Sequence, residues 1–317
     1  MVNPAPPECR DGLISLLRDA LARPGGRVGL AGALVCLGLL GTIFWRNLWH
    51  FGYTWSTDEN YSHGFLVPLL SLYFANESAR RGPIPYRSGV RIAVLLLLLS
   101  LLGRMATIYI PVGAVSDGAL LLGLAGICAL FAGAAALRRF GFALAFLVFM
   151  IPLPIALYTA IAGPLQLLVS RVASDVLSAT GLPVLCEGNL ITLPGGQHMF
   201  VAEACSGMRQ LTGFLALTTA VAYLSPRPLW YRLIVVASSV PIAMSANVIR
   251  VIVTGWIMHR LGPRYAMGAF HTVEGLLMMG LGLVILGAEC WTLNRIIAGG
   301  PFSGFGLHPK KGPEFAG

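Results

Sequence analysis

Charge is what this sequence has least of. Only 11% of its 317 residues are Asp, Glu, Lys or Arg, where a soluble domain carries about 25%. So few charges cannot cover a water-soluble globule of this length. Acidic residues are the scarcer sign, 13 against 22 Lys and Arg, for a net charge of +9. That excess does not point to nucleic acid, because no long basic run and no interleaving of basic and aromatic residues accompanies it. There are six cysteines and no CxxC pair, so neither a zinc site nor a dithiol redox motif is supported. HExxH and GxSxG are both missing, which argues against a zinc or serine protease. No metal or cofactor is expected. Internal repeats and low-complexity domains are absent as well. A cleavable leader is not expected: the first apolar run, from Val28, has the length of a spanning helix, and Glu8, Asp11 and Asp19 precede it.

What is present is apolar sequence. Residues AVILMFWYC make up 56% of the chain, and the mean hydropathy is +0.76. Apolar runs between charged breaks predict eight helices at 28–46, 63–79, 90–109, 117–137, 141–159, 207–224, 230–257 and 272–294, near the ~20 residues a bilayer span needs. With a cytoplasmic N-terminus, fifteen of the 22 Lys and Arg residues fall inside and seven outside; the excess of basic residues on cytoplasmic loops favours that orientation, with both termini inside. Residues 160–206 are the longest gap between predicted spans. Within it Leu165, Leu168, Val169, Val172, Val176 and Leu177 share one helical face, opposite Arg171 and Asp175, which reads as a helix lying in the outer interface. Two β-prone runs then flank Pro194-Gly195-Gly196, which reads as a hairpin. The fold expected is an all-α polytopic membrane protein, with about eight transmembrane helices and an extracytoplasmic amphipathic helix and short hairpin before the sixth span. It divides into a cytoplasmic segment 1–27, a membrane-embedded domain 28–298 and a cytoplasmic tail 299–317.

Three residues stand out chemically. Cys205 sits where the hairpin meets the start of an apolar helix; the partial positive charge and free N–H groups there favour a thiolate, the reactive form. Arg209 follows one turn later and Glu203 precedes it. Arg250 interrupts the run PIAMSANVIRVIVTGWIM, where an unpaired charge is costly; Asn247 at i−3 could hold its guanidinium, and snorkelling to the headgroups is the alternative. His271 begins the last predicted helix. His63 begins the second and is a further candidate partner for the thiol, whereas His198 and His259 lie in loops and His50 and His308 carry weaker cases. Cys36, Cys128 and Cys290 read as small core residues; a Cys186–Cys205 disulfide would silence the thiol. The three consecutive helices 207–224, 230–257 and 272–294 bring Cys205, Arg250 and His271 to one membrane face. A thiol, an imidazole and a guanidinium can together perform acyl transfer.

At these residues the chain resembles the exosortase family, including its archaeosortase-like relatives. EACSGMR (203–209) matches the cysteine motif, NVIR (247–250) the arginine motif, and His271 followed by Gly275 the histidine motif. YSHGFLVPLLSLY (61–73) and EGNLITLPGG (187–196) resemble further stretches of the family. Met278 and Met279 depart from the more aromatic pattern expected there. The resemblance implies catalytic Cys205, Arg250 and His271 in a bacterial inner-membrane cysteine protease or transpeptidase. Its active site would face the periplasm, and its substrates would be secreted proteins ending in a PEP-CTERM-type signal: a short motif, a helix and a basic end. Membrane lipids are the other partners expected. The contrasting expectation is a transporter or flippase for an envelope polysaccharide, with Arg250, Arg104 and Asp117 as pathway charges; it has no need of a thiol at position 205.

Overall fold

The computed structural model of the chain describes residues 12–82, 84–109, 112–201, 208–262 and 269–299, with the backbone alone for 269–274, 276 and 297–299. It divides into two compact units, Met1–Ile155 and Ala156–Gly317. The first unit runs α1 (Leu13–Ala22), α2 (Gly26–Ile43), α3 (Trp45–Thr57), a 3-10 segment (Glu59–Phe65), α4 (Leu66–Arg80), α5 (Val90–Ala106), α6 (Gly113–Phe131) and α7 (Gly133–Phe146), which continues as a 3-10 turn through Met150. The second runs α8 (Ile155–Ala179), β1 (Leu185–Glu187), β2 (Leu190–Leu193), β3 (Gln197–Phe200), α9 (Met208–Leu224), α10 (Leu229–Ala237), α11 (Ser239–Leu261) and α12 (Ala269–Gly299).

Among the described residues six segments are long and apolar enough to cross a membrane: Gly26–Ile43, Gly113–Phe131, Gly133–Met150, Ile155–Ala179, Leu229–Leu261 and Leu277–Ile296. Their outward faces are what a lipid solvent demands. Leu34, Val35, Leu39 and Val284 are each more than half exposed, and in water such a surface would drive aggregation. Inward faces carry small residues and paired polar groups. Ser100 Oγ donates to the Ala119 carbonyl at 2.7 Å, and Ser71 Oγ to that of Ala143 at 2.7 Å, which ties neighbouring helices where hydrophobicity alone cannot. Helices α5 and α9, 17 residues each, are shorter than these six, and α4 has 15. The fold is therefore multi-pass and helical, with six segments of spanning length among the described residues where eight spans were expected.

Two boundaries differ from the sequence reading. The predicted 141–159 helix stops at Met150, and Ile155–Ala179 forms one helix of 25 residues with Pro164 inside it. Pro152 and Pro154 bracket the break, because a proline disfavours helical backbone in the residue before it. The predicted interfacial segment is thus continuous with the apolar residues 155–159, and the whole helix reaches spanning length. The expected hairpin is a three-stranded antiparallel sheet in the order β1-β2-β3. In β2–β3 Leu190 pairs with Phe200 and Thr192 with His198, while β1 adds the pair Cys186–Ile191.

In the first unit the YSHG stretch is a packing device. The Tyr61 hydroxyl accepts from the Leu153 amide at 3.1 Å, and Trp55 Nε1 donates to the Met150 carbonyl at 3.0 Å. The backbone at Gly64 presses on the Trp55 indole so closely that a Cβ there would overlap the ring. A Gly64→Val protein should therefore lose about 1–3 kcal/mol through overpacking, read as a lowered unfolding midpoint of the detergent-solubilised protein; an unchanged midpoint would contradict this packing.

Candidate active site

The sheet ends just before the EACSGMR motif in the chain. Ile191, Leu193, Met199 and Val201 are buried in one cluster with Val169, Ala173 and Leu177 of α8 and with Val251 and Met258 of α11. Alternation puts Ile191 of β2 and Met199 of β3 on the same face as cross-strand partners. Gly255 of α11 lies against Leu177 and Met199, the close approach that lets helix and sheet share this core. Val201 is then fixed by polar contacts. Its amide donates to the Asn189 carbonyl at 2.9 Å. Its carbonyl accepts from Gln166 Nε2 of α8 and, at 3.5 Å, from Asn189 Nδ2. Val201 is the last described residue before the EACSGMR motif.

The helices of the motifs share a second core. Phe214 of α9, Tyr231 and Val235 of α10, Ile242 and Ala243 of α11 and Leu286 of α12 are buried together. Met279 reaches Gly213, and the Phe214 ring lies on Gly282, so α9 and α12 run in the same sense, with α10 and α11 opposed. Measured from that core at about 1.5 Å per residue, Arg209 lies roughly 8 Å along α9, Arg250 roughly 10 Å along α11 and His271 roughly 22 Å along α12.

Arg250 is 5% exposed and Asn247 is fully buried. The guanidinium is thus turned into the protein, and the snorkelling alternative is set aside. Thr254 Oγ1 donates to the Arg250 carbonyl at 2.9 Å. Arg209 is half-buried in the first turn of α9. Beside it Gln210 is 5% exposed, and among the described residues neither end of its carboxamide has a hydrogen-bond partner. Cys205 and Glu203 lie outside the described residues, and His271 has its backbone alone described, in the first turn of α12. Cys186 is a free thiol in β1. Among the described residues no group of His, Cys, Asp and Glu could hold a metal ion.

His63 belongs to the first unit, in the 3-10 segment before α4. Burial lowers its pKa from the ordinary 6.5, against the raising effect of hydrogen bonds to the Phe149 and Asn60 backbone. The polar residues of α5 and α6 form a separate network in that unit. Gln166, Asn189 and Gln210 were not singled out from the sequence; a glutamine inside an apolar helix was the available signal for two of them.

These features define a multi-pass membrane protein with a small sheet cored against two of its helices and a buried arginine beside that core. The chain belongs to the transmembrane exosortase family: residues 55–288 match the family described as transmembrane exosortase (Exosortase_EpsH). No curated protein and no solved structure matches it.

The lowered pKa of His63 sets a pH dependence. The unfolded chain binds the proton more readily, so stability is complete above about 6.5 and falls as pH drops through the folded value. Unfolding midpoints of the solubilised protein should fall over that range, and a His63→Gln protein should show a shallower fall; equal slopes would mean that other groups carry the effect.

Proposed function

We propose that the protein is a cysteine peptidase or transpeptidase of the inner membrane that removes C-terminal sorting signals from exported proteins, with Cys205 as nucleophile. The observation that carries this reading is the family match over 55–288, an interval that contains Cys205, Arg250 and His271 together.

In this reading His271 takes the Cys205 proton, and the thiolate adds to the scissile carbonyl carbon. The guanidinium of Arg250 stabilises the oxyanion that forms; its burial supports this role, because a fixed cation in a water-poor site stabilises developing charge strongly. The imidazolium then protonates the leaving nitrogen as the C–N bond breaks, leaving a thioester on Cys205. Water or an amine nucleophile attacks that thioester and regenerates the thiol. Asn247, one turn before Arg250, is in position to orient it, and Arg209 and Glu203 border the nucleophile in sequence. In this reading the site opens to the periplasm and both termini are cytoplasmic, which requires that α8 lie along the membrane rather than cross it. Substrates present a recognition motif before a helix and a basic end, so cleavage releases the exported domain from its anchor. The transporter reading has less support, because it has no need of a thiol at position 205 within the matched interval.

A Cys205→Ala protein that inserts normally should leave a tagged substrate uncleaved in cells, and cleavage at the wild-type rate would overturn the proposal. Arg250→Lys should lose most activity, about 10²-fold or more in kcat, because a point charge does not replace a planar fork. Near-full turnover in that variant would remove Arg250 from the oxyanion role.

A further inference from the structure

The first unit holds a cavity bordered by charged side chains that the peptide chemistry leaves unused. Arg46, Asn47 and His50 of α3, Arg104 of α5, and Ser116 and Asp117 of α6 line a space of about 280 Å³. Arg46 comes just after the end of the Gly26–Ile43 span, Arg104 two residues before the end of α5, and Asp117 in the second turn of α6. All three positions therefore lie at one face of the membrane.

The aromatic residues give the depth. Trp45, Trp49 and Tyr53 are 62%, 68% and 61% exposed and recur every four residues, so they form one stripe along α3. Exposed Trp and Tyr collect where hydrocarbon meets headgroups. Arg46 and His50 are the next residues round the helix, and Asn47 and Phe51 face the protein. The cavity accordingly opens at headgroup level.

Arg104 and Asp117 are held by neutral partners, while Arg46 is exposed at the rim. Arg104 Nη1 donates to Ser116 Oγ at 3.1 Å, Ser116 Oγ donates to Asn47 Oδ1 at 3.1 Å, and Asn47 Nδ2 donates to Asp117 Oδ1 at 2.7 Å. The Arg104 guanidinium also lies over the Phe44 ring, 5.6 Å from its centroid. Among the described residues neither Arg46 nor Arg104 has an ion-pair partner; Asp117 accepts its hydrogen bond from the neutral Asn47 amide, and the His50 ring lies near enough to act on its charge. Two guanidiniums and one carboxylate thus surround one cavity, each with capacity to spare.

We propose that this cavity binds the headgroup of an amine-bearing phospholipid, with the phosphodiester on Arg46 and Arg104 and the ammonium on Asp117. Guanidinium forks suit phosphate oxygens, and a buried carboxylate gains most from a cation. A phosphoglycerol headgroup would satisfy the arginines but bring no ammonium to Asp117. Inorganic phosphate would do the same and would lack acyl chains to lie on the apolar helix faces.

The test uses the whole protein in detergent, with unfolding midpoints measured against dihexanoyl phosphatidylethanolamine, dihexanoyl phosphatidylglycerol and sodium phosphate. Phosphatidylethanolamine should stabilise with an apparent affinity at least fivefold tighter than phosphatidylglycerol, and phosphate should give little shift. Arg46→Gln, a change at an exposed side chain, should weaken the response at least fivefold, and Asp117→Asn should bring the two lipids within twofold of each other. Equal stabilisation by phosphatidylglycerol or by inorganic phosphate overturns the proposal, and so does a full response in the Arg46→Gln protein.

Discussion

Polar groups in hydrocarbon must find their partners within the protein, and this constraint organises the fold. A hydrogen-bonding group left unpaired in lipid costs several kcal/mol, so the backbone closes on itself in helices and the buried side chains are arranged in relays. Asn47, Ser116 and Asp117 form one such relay. The serines of α4 and α5 that donate to carbonyls of α7 and α6 do the same work. The chain also concentrates its strands where irregular backbone can be covered by protein: the three-stranded sheet rests on α8 and α11, and its final carbonyl is met by Gln166.

The same constraint bears on the arginine of the NVIR stretch. A guanidinium 5% exposed within a helix of a membrane protein needs polar surroundings. The turn that carries it adjoins the core of the sheet through Val251. Seven residues earlier, Ala243 belongs to the core shared by α9, α10 and α12. Arg250 therefore sits on the helix that links both cores of its unit, and in the proposed chemistry that placement would hold the oxyanion partner still while the substrate changes.

Much of the helical content could be read from apolar runs. The Gly113–Phe131 helix overlaps the expected 117–137 run, and Val90–Ala106 the expected 90–109 run. Breaks were harder to read. Phe44 separates α2 from α3 and Ser238 separates α10 from α11, although neither residue is a strong helix breaker, so tertiary packing decides both positions. Pro164 stands inside a helix while Pro152 and Pro154 flank a break; the same residue type has opposite outcomes, and local sequence does not separate them. Which side of a helix meets protein and which meets lipid was also hidden, since both sides are apolar. In α5 Ala93 is buried and Leu95 is more than half exposed. For the candidate site, the buried environment of Asn247 and Arg250 follows from their polar character within an apolar run. The contributions of Gln166 and Asn189 do not, because they depend on a strand end reaching α8 from 35 residues away.

The shared core under the sheet has a mechanical consequence. Ile191, Leu193, Met199 and Val201 would all be bared if the strands lifted from α8 and α11; at roughly 1.5–3 kcal/mol per side chain that is on the order of 6–12 kcal/mol. A sheet anchored this firmly does not swing as a lid in ordinary thermal motion. In the proposed reaction, a substrate would therefore meet a fixed sheet rather than one that opens to admit it.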